Sequence, residues 1–261
     1  MSNGRSLPLK RLRGSRFGRT NRGNSERREG DPMPKKRVAI LISGRGANMA
    51  ALIEASKKRG YPAEIVVVIS NRPDAAGLQR AAREKIATAL VDHTEFGKDR
   101  ERFERALQAV LESHSVEIVC LAGFLRVFTP WFVSQWSGRM INIHPALLPS
   151  FKGLDTHARA LEAGVKIHGA TVHFVVPDVD SGPIVAQAAV PVLDDDTCDA
   201  LAARVLAAEL RLYPLALRLV AEGKSRVTGS TVHNKAMVSP TKQLIVPRPR
   251  RVRLTKAEPD G

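Results

Sequence analysis

RVAILISGRGANMAALIEASKK, spanning Arg37 to Lys58, is the stretch that decides the fold. Its first seven residues, through Ser43, form an apolar run rich in β-branched side chains, which reads as a strand buried on both faces. Gly44 and Gly46 follow, and from Asn48 onward Met49, Leu52, Ile53 and Ala55 recur at the spacing of one helical face. A strand, a glycine turn and an amphipathic helix in that order begin a βαβ unit.

The unit repeats along the chain. Glu64–Ser70 (EIVVVIS) reads as a second strand, Asp74 starts a short helix, and Ala87–Asp92 reads as a third strand. A helix over Arg100–Ser113 leads to a fourth strand at Val116–Gly123, a fifth at Arg139–His144, and another at His168–Val176. The class expected is α/β: an open, mostly parallel twisted sheet with helices on both faces and right-handed crossovers. Ligands of such sheets gather at the carboxyl ends of the strands, so the loops at Gly44, Ser70, Gly123 and Ile143 should converge on one crevice.

With 261 residues, 43% of them hydrophobic, the chain has ample material for a buried core. No apolar run approaches the roughly 20 residues of a membrane span, and no secretory signal pattern follows the basic start. Cys120 and Cys198 match neither a C-x-x-C nor a zinc spacing, so both are expected as small core residues in a reducing cytoplasm. The net charge of +15 resembles a nucleic-acid signature until it is divided. Residues 1–37 carry 12 Lys/Arg and 3 Asp/Glu, residues 222–261 carry 9 and 3, and the stretch between them is neutral. Basicity therefore belongs to the ends, and nucleic-acid binding is expected only as nonspecific contacts of those tails. The domain expectation is a disordered basic extension at 1–36, a folded domain at 37–229 and a basic tail at 230–261. Three readings of the extension stay open: an arm touching RNA or acidic surfaces, an organelle transit segment, and sequence upstream of a start at Met33. A truncation to Met33–Gly229 is expected to keep activity.

The S-G-R-G-A-N turn offers free backbone amides at a helix N-terminus, an anion site by geometry and dipole together. A dinucleotide fingerprint would need a third glycine where Met49 stands, and an acidic residue after the second strand, where Ser70, Asn71 and Arg72 stand. NAD is therefore not expected. In INIHPALLPSFKG, Ile141–Gly153, strand alternation sets Asn142 and His144 on one side and Ile141 and Ile143 on the other, and Pro145 stops the strand. The turn DVDSGP, Asp178–Pro183, brings carboxylates that would favour the charged form of His144 and orient its ring. His168 and His173 lie five apart on a predicted strand and face opposite sides, so they cannot chelate together, and no metal is expected. G-x-S-x-G is absent, which removes the serine-hydrolase reading.

LISGRGANMAALI, LAGFLRVFTPWFV, INIHPALLPSFKGLDTHARALEAG, HGATVHFVVPDVDSGPIVAQ and AAELRLYPL together resemble the phosphoribosylglycinamide formyltransferases, folate-dependent enzymes of purine synthesis. The resemblance covers about Val38–Gly229. It implies a Rossmann-like formyltransferase fold, the cosubstrate 10-formyltetrahydrofolate, no metal, small-molecule substrates, no membrane, and a monomer or homodimer. It places formyl transfer on Asn142, His144 and Asp180, the last being the aspartate just before S-G-P. It gives the ribose phosphate to Gly46, Ala47 and Asn48, and further substrate contacts to Arg100 and Glu209. Folate contacts fall to Leu125, Arg126, Val127 and Phe128, to Asn142, and to the backbone of Val176–Asp180, including Asp178.

Two positions depart from the pattern. Ala47 stands where the family commonly has Ser, which leaves only the backbone amide for phosphate. Asp155 stands where some members have His, and is expected to cap the helix that ends near Ala163. The mechanism implied is direct attack of the substrate amine on the formyl carbon, with no covalent enzyme intermediate. Asn142 and a cationic His144 stabilise the oxyanion, and Asp180 helps move the proton. Methionyl-tRNA formyltransferase and formyltetrahydrofolate hydrolase share this chemistry but would carry additional folded domains, and an RNA-binding protein on an inactive core is the non-enzymatic alternative.

Overall fold

The structure, a computed structural model, describes residues 34–235 and residue 246. Most of the two tails expected to be disordered lies outside the described residues.

Seven strands make the sheet: β1 (Lys36–Ile42), β2 (Ala63–Ser70), β3 (Ala87–Leu90), β4 (Ile118–Leu121), β5 (Met140–His144), β6 (Ile167–Phe174) and β7 (Ile184–Pro191). Six α-helices accompany them: α1 (Ala47–Ser56), α2 (Ala76–Arg83), α3 (Arg100–Ser113), α4 (Pro130–Gln135), α5 (Thr156–Glu162) and α6 (Cys198–Ala221). The strand order is β3-β2-β1-β4-β5-β6-β7. Pairs β1–β2, β2–β3, β1–β4 and β4–β5 are parallel, whereas β5–β6 and β6–β7 are antiparallel. The chain builds outward from β1 in one direction, then crosses to β4 and builds in the other, which leaves the carboxyl ends of β1 and β4 splayed at a topological switch point.

Strand alternation explains the two-sided core. Val38, Ile40 and Ile42 of β1 pack with Met49, Leu52 and Ile53 of α1 and with Leu201, Val205, Tyr213 and Leu217 of α6. Ala39 and Leu41 face the opposite way, onto Phe103, Leu107 and Leu111 of α3 and Phe132 of α4. Each large side chain buried this completely contributes about 1.5–3 kcal/mol. The Tyr213 hydroxyl lies 3.0 Å from each of the carbonyls of Leu121 and Ile141 and shares its one proton between them, which ties α6 to the paired strands β4 and β5.

Several local expectations need correction. Cys120 is buried, but Cys198 is exposed, because it is the first residue of α6 and lies outside the packed face of that helix. Asp155 occupies the N-cap position of α5, yet its side chain makes no cap hydrogen bond. Its backbone is left-handed (φ 55°, ψ 35°) rather than extended, so the carboxylate cannot reach back to the first-turn amides. Ser225–Thr228 (β8) and Thr231–Asn234 (β9) form an antiparallel hairpin across the expected 229/230 boundary. Asn234 fastens it to β7, its Nδ2 donating to the Val185 carbonyl at 2.7 Å. Among the described residues, no helix is long and apolar enough to cross a membrane.

Candidate active site

The glycine loop after β1 does what an anion loop needs. Gly46 takes φ 71°, ψ 41°, a left-handed conformation open to glycine at little cost, and turns the chain into α1. The first helical hydrogen bond runs from Ala50 N to Gly46 O, so the amides of residues 47–49 have no intrahelical acceptor. Beside them lies a cavity of about 350 Å³ lined by Gly44–Asn48, Arg80, Ala122, Gly123 and Leu206. Arg80 was not legible in the sequence as a site residue. It arrives because Gly77 of α2 packs backbone to backbone on the loop, its N–H donating to Gly44 O at 3.1 Å, and a Cβ there would sit 2.4 Å from Ile42 Cδ1.

A larger cleft of about 880 Å³ adjoins this cavity, sharing Asn48, Gly123 and Leu206 with it. Its lining includes Asn142, His144 and Asp180, the wall Leu125–Phe128, Val176 and Glu209. Two expected contacts are not part of that lining: Asp178 is exposed, and Arg100 reaches instead from α3 to the Val127 carbonyl. Ser70 is also outside it, because β2 lies on the far side of β1.

At the end of β5, His144 is 5% exposed. Its Nε2 donates to the Phe151 carbonyl at 2.9 Å, and its Nδ1 faces Asp180 Oδ2 at 3.3 Å. An imidazolium satisfies both acceptors, whereas a neutral ring satisfies one. Asp180 sits at φ 50°, a conformation sparsely used by non-glycine residues and held here by its surroundings. Gly153 N donates to its Oδ2 at 2.9 Å. Burial alone would raise the Asp180 carboxyl, but the neighbouring His173, the Gly153 N–H and the His144 ring outweigh that and hold it below its ordinary value. Gly182 lets the turn close: a Cβ there would lie 1.7 Å from the Phe174 carbonyl oxygen.

His173 belongs to this cluster, although the sequence offered it only as a rejected metal ligand. The antiparallel pairing sets it directly across from Asn142. Its Nδ1 donates to Phe174 O at 2.9 Å, and its Nε2 lies 3.3 Å from Asn142 Nδ2 and 3.6 Å from Asp180 Oδ1. With the proton on Nδ1, Nε2 accepts from the Asn142 amide, fixes its orientation and leaves its second N–H for another acceptor. On the anion-cavity side, Asn48 Nδ2 donates to Glu209 Oε2 at 2.7 Å. Burial pushes the Glu209 carboxyl above its ordinary value, with the Asn48 bond opposing. Asn48 Oδ1 is buried without a partner among the described residues, an acceptor free for a bound hydroxyl.

His168 and His173 are indeed on opposite sides of β6. His168 packs edge-on against Phe151 and His157, and neither ring nitrogen finds a partner among the described residues. Among those residues, no group of three His, Cys, Asp or Glu is placed to hold a metal ion.

A family profile described as "Formyl transferase" matches residues 36–217. The trifunctional purine biosynthetic protein adenosine-3 of Gallus gallus is 50% identical over 193 residues, 74% of this chain but 19% of its own length. The chain thus spans about a fifth of that relative. Phosphoribosylglycinamide formyltransferase of Escherichia coli is 42% identical over 190 residues, covering 73% of this chain and 89% of that one. Among solved structures, glycinamide ribonucleotide transformylase 1 of Symbiobacterium toebii superimposes with a TM-score of 0.74 at 44% identity, over 77% of this chain and 94% of that one.

Proposed function

This chain belongs to the formyl transferase family, and on that premise we propose that it transfers the formyl group of 10-formyltetrahydrofolate to the amine of 5'-phosphoribosylglycinamide in purine biosynthesis. The observation that carries the reading is the junction of two sites: an anion cavity at the N-terminus of α1 opens into the cleft where Asn142, His144 and Asp180 meet.

The amides of residues 47–49, with Arg45 and Arg80 beside them, hold the substrate's phosphate, and Asn48 and Glu209 take the ribose hydroxyls or the glycinamide. The folate occupies the larger cleft against Leu125–Phe128 and Val176. As the amine attacks the formyl carbon, negative charge develops on the formyl oxygen. Asn142 gives it a neutral hydrogen bond worth roughly 3 kcal/mol when preorganised, and the imidazolium of His144, its two N–H groups held by Phe151 O and Asp180, sets a positive charge beside it. Asp180 balances the imidazolium and, through water, passes the amine proton toward the leaving nitrogen. Strand β5 holds Asn142 and His144 at fixed spacing, and Pro145 ends the strand so that the spacing does not drift. The enzyme works in a reducing cytoplasm in this account, in keeping with free Cys120 and Cys198.

Purified protein is expected to convert 10-formyltetrahydrofolate when given the ribonucleotide. His144→Ala and Asn142→Ala should each lower turnover by at least about a hundredfold with the far-ultraviolet circular dichroism unchanged. Near-normal turnover in either folded variant contradicts the assignment.

A further inference from the structure

Residues 122–129 connect β4 to α4 without regular secondary structure, and 123–128 of them form one wall of the cleft. Leu125 and Val127 are 72% and 56% exposed, so their own burial does not hold the wall in place. Phe124 and Phe128 of the wall stack at 5.4 Å and Phe128 stacks on Phe132 of α4 at 4.5 Å, contacts that grip side chains and not the backbone polar groups. What fixes the backbone is a set of side chains from elsewhere in the fold.

Glu104 of α3 is 1% exposed, and its two oxygens meet the backbone N–H (2.7 Å) and the hydroxyl of Thr129 rather than a cation. A carboxylate buried so deeply is costly unless it is fully hydrogen-bonded, and nothing in the packing of α3 itself requires one there. At the other end Ser43 is 6% exposed; its Oγ accepts Leu125 N–H at 2.9 Å and donates to Asn71 Oδ1 at 2.6 Å, while its own N–H donates to Gly123 O at 3.0 Å. Ser43 directly precedes Gly44, so the residue that anchors this wall also begins the anion loop.

We propose that Glu104 and Ser43 are positioning residues for the folate side of the reaction, buried anchors that set the wall at Leu125–Phe128 without touching either substrate. The inference rests on the reading that this wall contacts the folate. Loosening the Glu104 anchor should therefore weaken one substrate and spare the other, whereas loosening Ser43, at the head of the anion loop, should weaken at least the folate.

The test is steady-state kinetics on Glu104→Leu, Glu104→Gln and Ser43→Ala, with hydrogen exchange of the 122–129 peptide measured alongside. Glu104→Leu should raise KM for 10-formyltetrahydrofolate about tenfold or more, with KM for the ribonucleotide within about twofold. Glu104→Gln keeps an acceptor for Thr129 N–H and should recover most of the loss, and Ser43→Ala should act in the same direction as the leucine variant. A merely structural role would reduce the yield of folded enzyme and leave both KM values alone. An unchanged folate KM in folded Glu104→Leu and Ser43→Ala overturns the proposal; should the leucine variant not fold, Ser43→Ala and Thr129→Val decide it. Exchange separates this inference from the functional reading beneath it. The segment should lose protection in the anchor variants even if the wild-type protein turned over no formyl donor, and unaltered protection overturns the anchoring whatever the activity.

Discussion

Asp180→Asn changes one charge and almost no volume. The carboxylate lies 3.3 Å from His144 Nδ1 in a side chain only 10% exposed. At an effective dielectric of about 20, two unit charges at that distance attract by about 5 kcal/mol. Solvent and relaxation of the turn return part of this, leaving on the order of 3 kcal/mol of lost transition-state stabilisation, or roughly a hundredfold in rate. Asparagine can still accept from Gly153 N–H, which Asp180 does at 2.9 Å, so the turn keeps its shape. With its oxygen in that place, the amide nitrogen takes the position of Oδ1, 3.6 Å from His173 Nε2, so the charge beside His144 is the main thing lost. The expectation is a kcat lowered by about a hundredfold or more, with both KM values within about threefold, followed by the absorbance change of the folate product. A folded Asp180→Asn protein within tenfold of wild-type turnover would refute the charge argument.

Other outcomes follow from the same geometry. Gly182→Ala places a Cβ 1.7 Å from Phe174 O, so the turn must move and carry Asp180 with it. Stability should fall by about 2–3 kcal/mol and turnover by more than tenfold, and an unchanged melting midpoint with full activity contradicts this. Burial pushes His168 down to about 4, from an ordinary 6.5. Between these values the unfolded chain takes up a proton that the folded one refuses, so stability is full above about pH 6.5 and declines as pH falls toward 4, by up to about 3 kcal/mol. Urea midpoints at neutral and mildly acid pH should show this slope flattened in His168→Phe, and coincident slopes would count against it. Finally, a chain of residues 33–235 keeps the β8–β9 hairpin and should retain activity within about twofold, whereas ending at 229 cuts the hairpin and should cost about 1–2 kcal/mol of stability by denaturation. Equal stability of the two truncations would show that the hairpin contributes nothing.

Much of this molecule is written in local pattern. The β-branched run of β1 and the apolar period of α1 needed no partner to be read, and alternation alone paired Asn142 with His144 on β5. What escaped depends on contacts made far along the chain. His173 joins the site only because β6 runs antiparallel to β5, a pairing that no periodicity within either strand reveals. Arg80 reaches the anion cavity through the Gly77 contact, which is likewise nonlocal. Strand β7 was missed because its alanine-rich sequence alternates weakly and lies half exposed at the sheet edge. The hairpin at Ser225–Asn234 did carry a signal, a Gly-Ser turn between threonine- and valine-bearing runs, obscured by the basic composition around it. Asp155 shows the opposite failure: its residue type suits a cap, but the left-handed backbone removes the geometry that a cap needs.

The measurement that tests the central claim most directly is an absorbance assay of the purified protein with 10-formyltetrahydrofolate, given in turn 5'-phosphoribosylglycinamide, water alone and initiator methionyl-tRNA. The account predicts turnover with the ribonucleotide and none above background with the other two. Turnover with water or tRNA and not with the ribonucleotide, or silence with all three, would contradict it.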